Sequence, residues 1–337
     1  MIRKRITAVL VTVCMVLGGC GNTSEEEEAT AFTVNGEAVS LREWNFYVRM
    51  NQMQWEKEGL ETWGDDMWSQ AAGEEEGTTR ADRLKEEVQE TICQIHLACQ
   101  YAKEYGVSLD EAKQQEVRER AGSFMEAYHE ALLDYAGADE AFVYEKLSER
   151  ELSLLVEEAA VADYEPVILE EEVHREGICY VLISTTGLRD SEGNLLPFTE
   201  EEVKERTKLA EEVCRAARES GNLKETAEAN GLTPIEASMG RSNEGDGHEP
   251  RMLDAARELA VGEISDPVWT EEGWFLVQHM NDYDEVGTDY WREKLTKQAK
   301  TAEYERIYEE WKAAAEIVTY PEVMDQVEVK IVLKELL

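Results

Sequence analysis

Leu84, Val88, Ile92, Ile95, Cys99 and Ala102 recur at steps of three and four residues. That spacing lines one side of an α-helix and predicts a long amphipathic helix over 81–105, stopped by Gly106. Upstream, 32–39 reads as two short strand pieces about Asn35-Gly36, a dipeptide suited to a tight hairpin turn. Ser40 then stands where a helix N-cap is expected, with Glu43 three residues on in capping-box position. Leu41, Trp44, Val48, Asn51 and Trp55 share one face of that helix, and Trp63 and Trp68 follow in a less regular stretch ending in a polar loop over 73–79. Ser108 and Glu111 repeat the capping-box spacing, helical pattern continues to about residue 162, and Pro166 marks a boundary.

The pattern changes over 176–284. Residues 177–184 (GICYVLIS) are apolar and β-rich. Thr199 and Glu202 cap a helix that runs to 220 and ends at Gly221, and Asn222 and Glu225 cap a short one ending at Gly231. A Gly-rich loop over 240–247 leads to a helix over 251–260 and two strands, 267–269 and 273–280. A helix over 288–315 follows, whose apolar face rotates from Trp291, Leu295 and Ala302 to Tyr304, Tyr308, Trp311 and Ala315. The tail 327–333 alternates as VEVKIVL and predicts a strand pairing with the Phe32 region. No internal repeat occurs. The pattern is α+β, mostly helical, with a small antiparallel sheet.

Composition changes this picture at the N-terminus. Arg3, Lys4 and Arg5 precede a short apolar run over 6–17. A dozen residues or so are too few to span a hydrocarbon core of about 30 Å, so the segment reads as a secretory signal. Leu17-Gly18-Gly19-Cys20 resembles a bacterial lipobox, with Cys20 the lipidated residue. Residues 21–31, with four consecutive glutamates, read as a disordered tether that reaches at most about 36 Å. The 337 residues carry 74 acidic against 34 Lys and Arg side chains, a net charge of −40. That argues against nucleic acid and against electrostatic attachment to anionic lipid. Cys93, Cys99, Cys179 and Cys214 show no C-x-x-C or His/Cys ligand spacing, so they read as small buried residues without a metal.

The segment GEISDPVWTEEGWFLVQHM, from Gly262 to Met280, looks like the last two strands of a parvulin-type peptidyl-prolyl isomerase. VNGEAVSLREW and AKEYGVSLDEA, earlier in the chain, resemble the N-terminal chaperone module of PrsA/SurA-type extracytoplasmic foldases. The resemblance implies a signal and lipobox over 1–20, a tether over 21–31, a helical chaperone-like domain over 32–166, an inserted parvulin-like domain over 170–284, and a C-terminal helix and strand over 285–337 returning to the chaperone domain. It implies unfolded or newly exported client proteins and proline-containing peptides as partners, attachment to the membrane through Cys20, an extracytoplasmic location, and no cofactor.

Prolyl isomerisation twists an amide over a barrier of about 18–20 kcal/mol without making or breaking a covalent bond. It asks for an apolar pocket and polar groups that favour the twisted form. In the resemblance, the two motif histidines fall on Tyr180 and Phe275, and the pocket methionine and phenylalanine fall near His248 and Met252. Tyr180, His248 and Phe275 are the candidate catalytic positions, with Met252, Trp269 and Leu182 as substrate-binding ones. Replacement of both histidines leaves a second reading open, a chaperone or assembly lipoprotein that binds unfolded segments without isomerase activity. Trp63 and Trp68 are candidates for a client cradle and Trp44 and Trp55 for core, while His96 reads as a boundary residue on the flank of its helix. There is no G-x-S-x-G, P-loop, G-x-G-x-x-G or H-E-x-x-H motif.

Overall fold

A computed structural model describes residues 29–73, 77–189, 195–242 and 247–331. Cys20, the signal segment and most of the tether lie outside the described residues. In chain order the elements are β1 (Thr30–Val34), β2 (Glu37–Ser40), α1 (Leu41–Trp63), α2 (Arg80–Tyr101), α3 (Glu111–Ala127), α4 (Glu130–Ala136) and α5 (Glu140–Ala160). Then come α6 (Glu170–Val173), β3 (Glu176–Ser184), β4 (Gly187–Arg189), β5 (Leu195–Pro197), α7 (Glu200–Ser220), α8 (Leu223–Ala229), β6 (Ile235–Met239) and α9 (Pro250–Arg257). β7 (Val268–Trp269), β8 (Gly273–Asn281), α10 (Glu285–Ala314), β9 (Ile317–Thr319) and α11 (Pro321–Met324) complete the chain, an α+β architecture. Its described residues form two compact units, one within Met1–Val156 and Trp311–Leu337 and one within Glu157–Glu310. Among the described residues, no helix is long and apolar enough to cross a membrane.

The first unit begins with a hairpin. Asn35 and Gly36 take the left-handed backbone that the two-residue turn between β1 and β2 requires, at φ 53° and 81°. Thr30 and Ala31, expected in the tether, are instead in β1, and Ala31 is fully buried. The other edge of β1 pairs with β9, Phe32 opposite Thr319. The strand expected over 327–333 does not form over its described part. Residues 327–331 lie outside any helix or sheet, and Ile317–Thr319 takes the place beside Phe32. Asn35 fixes this return, because its N–H donates to Glu316 O (2.8 Å) and its Oδ1 accepts from Glu316 N (2.9 Å). Trp311 stacks on Tyr101 at 4.3 Å, and Lys312 bonds Glu90 at 2.8 Å.

Local capping rules held where no tertiary partner intervened. Ser40 caps α1 through Glu43 N, and Thr199 with Glu202 makes a full capping box for α7. Asn222 caps α8. The third helix starts later than expected, with Asp110 rather than Ser108 accepting from the first-turn N–H of Lys113. α2 ends at Tyr101 and a turn carries the chain to Gly106, at φ 69°.

Glu43 does not close the capping box expected of it, because its carboxylate turns inward. Oε1 meets His96 Nε2 of α2 at 2.9 Å, and Oε2 accepts from Lys146 Nζ of α5 at 3.0 Å. Lys146 also donates to Glu149 Oε1 at 2.9 Å. Glu43, His96 and Lys146 are only 4, 5 and 5% exposed. His96 is therefore no boundary residue: ion pairing lets it lie in the core. Burial opposes the charge on Glu43, but the hydrogen bond and charge of His96 and the charge of Lys146 outweigh it and hold the carboxyl below its ordinary 4.5. Burial of His96 is likewise outweighed by Glu43, so its imidazolium persists above the ordinary 6.5.

Trp44 is fully buried against Phe32, with ring centroids 6.2 Å apart. Trp68 is buried too, stacked on Trp55 at 5.9 Å with its indole N–H on Glu56 Oε1. Trp63 is half-buried under the Arg80 guanidinium.

Lys146→Met leaves the buried Glu43 carboxylate and the partly buried Glu149 without their shared ammonium, so we expect a loss of about 3–5 kcal/mol in chemical denaturation of the full chain. The pH dependence has two signs. A carboxyl lowered by folding stabilises above 4.5 and loses that contribution as pH falls through its lowered value. A histidine raised by folding stabilises fully below 6.5 and loses it as pH rises through its raised value. The stability difference between the native chain and Glu43→Gln should therefore be largest between 4.5 and 6.5 and shrink on both sides.

Candidate functional site

The second unit is built on a four-stranded antiparallel sheet in the order β6-β3-β8-β7. Strand alternation sorts its side chains onto two faces. Val181, Ile183 and Leu276 pack under α7 and α8, against Ala210, Val213, Cys214, Ala217 and Leu223. Ile178, Phe275 and Val277 pack on the other face against Met252, Leu253 and Ala256 of α9. Gly273 lets β8 start close to β3: a Cβ there would meet Ile183 O at 2.3 Å, and φ is 142°.

α9 has only eight residues and covers part of its face. Tyr180 and Leu182 of β3 pack against the edge of the α9 cluster and are half-buried, as is His248. The register sets Leu182 opposite Phe275 and Tyr180 opposite Val277. The Tyr180 ring lies 5.6 Å from the His248 ring and 6.0 Å from the Phe275 ring. These side chains make a partly open apolar patch with two polar tips. Burial raises the Tyr180 phenol above its ordinary value, so its hydroxyl stays protonated and can donate.

The six expected residues separate into three settings. Tyr180, Leu182 and His248 are at the accessible patch. Met252 and Phe275, at 0 and 5% exposed, lie beneath it as core. Trp269 lies on the opposite face. Val268 is opposite Phe275, so the next residue, Trp269, pairs with Trp274, and their rings meet at 5.0 Å. Alternation along β7 thus removes Trp269 from the patch.

Two features escaped sequence reading. No element was expected over 232–239, yet Ile235 to Met239 form β6 and pair with Tyr180 to Glu176. The signal was the alternation of Ile235, Ala237 and Met239, which was too short to stand out. A groove of about 760 Å³ follows this strand, lined by Ile235, Ala237, Ser238, Met280, Tyr290 and, at one end, His248. The hairpin of β4 and β5 was also missed. In the first unit, Glu43, His96 and Glu149 bring three ligand-type atoms within 4.8 Å. The Lys146 ammonium already sits 3.0 Å from one of these carboxylates and 2.9 Å from the other, so the cluster carries its own cation.

No protein-family profile matches the chain. Over 136 residues it is 32% identical to the foldase protein PrsA of Clostridium botulinum strain Langeland, and over 137 residues it is 30% identical to that of strain 657. Each match covers 38% of this chain and 39% of the relative, so the chain spans about two-fifths of the length of the curated relatives it matches. The crystal structure of the foldase PrsA from Lactococcus lactis aligns with 89% of this chain and 99% of its own, at 11% identity and a TM-score of 0.39. In sequence, the chain resembles the PrsA-type foldases.

Proposed function

We propose that this chain is a lipid-anchored, extracytoplasmic foldase that binds newly exported, incompletely folded proteins. In this reading residues 32–166 and 285–337 serve as the chaperone-like part, residues 170–284 as the parvulin-like part, and Cys20 carries the lipid. The observation that carries it is the patch of Tyr180, Leu182 and His248, half open above a core of Met252 and Phe275. A proline ring is a compact apolar group, and the patch offers it aromatic and aliphatic carbon with water excluded from below. The protonated Tyr180 hydroxyl, beside His248, is a donor toward an amide whose nitrogen becomes pyramidal as it twists. The strongly acidic surface supports the reading as well, because self-repulsion keeps a protein that handles sticky chains from joining their aggregates.

One observation favours a second reading, client binding without catalysis. Phe275, where the family resemblance expects a histidine, is 5% exposed and packs with Met252 and Val277, leaving no polar group at that strand position.

A protease-coupled assay on a proline-containing peptide, paired with titration of the same peptide into the full chain, separates the readings. We expect a rate above buffer that Tyr180→Phe lowers by about tenfold or more, while thermal stability stays within a few degrees because the ring remains. Peptide binding with a rate equal to buffer would establish the second reading. Absence of peptide binding, with unfolded client still bound, would leave a chaperone without a prolyl site.

A further inference from the structure

Helix α1 carries a polar row at positions its neighbours make core. Asn45, Arg49, Gln52 and Glu56 step by four, three and four residues along it. Arg49, Gln52 and Glu56 are 5, 0 and 1% exposed. They are linked head to tail. Arg49 Nε donates to Asn45 Oδ1 (3.1 Å), Arg49 Nη1 to Gln52 Oε1 (2.8 Å), and Gln52 Nε2 to Glu56 Oε1 (2.9 Å). The Trp68 indole N–H closes the row on Glu56 Oε1 (2.9 Å). Burying such a row costs several kcal/mol unless the remaining donors find acceptors.

They find them on the chain's own C-terminal segment. Arg49 Nη1 donates to Glu328 O at 2.7 Å, and Gln52 Nε2 donates to Lys330 O. One further donor of the same helix, Trp44 Nε1, reaches Met324 O at 3.2 Å. All three acceptors are main-chain oxygens. Beyond the bend at Val327, residues 328–331 lie outside any helix or strand, and burial alternates along the segment: Val327 is buried, Val329 and Ile331 are half-buried, and Glu328 and Lys330 are exposed.

Donors that grasp carbonyls of alternate residues read an extended backbone and disregard its sequence. Recognition of unfolded chains needs that property, and the side chains between the grasped carbonyls then only have to be apolar on one side. The tail meets both conditions, since it alternates as an unfolded β-forming segment does. We propose that the Arg49–Gln52–Glu56 row of α1 is a binding site for extended polypeptide, filled in the resting protein by residues 327–331 as an internal surrogate that a client segment displaces. This proposal rests on the chaperone reading above. A surrogate on a short tether competes at an effective concentration on the order of millimolar, so the site stays closed to folded proteins and opens to chains that offer many extended segments.

The test is amide hydrogen exchange of the full chain, with reduced and carboxymethylated α-lactalbumin as the unfolded probe. Saturating probe should raise exchange at residues 327–331. Probe bound with tail exchange unchanged would overturn the inference and leave the chaperone reading standing, whereas probe bound neither by the full chain nor by a chain ending at Asp325 would remove both. The chain ending at Asp325 should bind the probe about tenfold tighter than the full chain, and a synthetic peptide from Gln326 to Leu337 should compete the probe off. Arg49→Met with Gln52→Leu should abolish probe and peptide binding alike. A shortened chain that melts at the native temperature yet gains no affinity would also overturn the inference. Should shortening lower the melting temperature, the exchange measurement on the full chain decides.

Discussion

One buried carboxylate organises the first unit. Glu43 belongs to α1, its two partners to α2 and α5, and none of the three can leave the core without stranding the others. This fixes the rotation of α1 about its own axis. With Glu43 pointing at His96 and Lys146, Trp44 is turned onto Phe32, and Arg49 and Gln52 meet the returning tail. An apolar stripe alone would tolerate small rotations of the helix, whereas a charge with two fixed partners does not. The polar contacts of this unit thus select one arrangement among several that hydrophobic burial would accept.

Sequence reading succeeded where the cause of a structure is local. Asn35-Gly36 needs nothing beyond its own backbone to turn, and Thr199 and Asn222 each accept from the N–H three residues on, in helices that start at the next residue. The long strands β3 and β8 announced themselves through continuous apolar runs. It failed where the cause is distant in sequence. Glu43 has the capping-box spacing, but its partners are 53 and 103 residues away. The VEVKIVL alternation is real, yet what Glu328 and Lys330 within it meet is a helix rather than a strand. Trp269 had the right residue type, and a register invisible in the sequence put it on the other face.

In the second unit, the same sheet serves two purposes through its two faces. The face under α7 and α8 is closed over Val181, Ile183 and Leu276. The face under α9 is closed only in part, because that helix is short, and what it leaves uncovered is aromatic. An accessible Tyr180 above an inaccessible Phe275 makes a firm apolar floor with its polar groups at the rim. On the readings proposed above, each unit would recognise polypeptide by a general feature, backbone carbonyls in one and ring-shaped apolar groups in the other.

The cysteines carry a last consequence. Cys93, Cys99, Cys179 and Cys214 are all unbridged, and burial pushes the first two up to about 12 and Cys179 up to about 11. Thiolate, the species that attacks a disulfide, is then vanishingly scarce on these side chains at neutral pH. In the foldase reading proposed above, such inertness would keep a client's own oxidation from being diverted onto these residues.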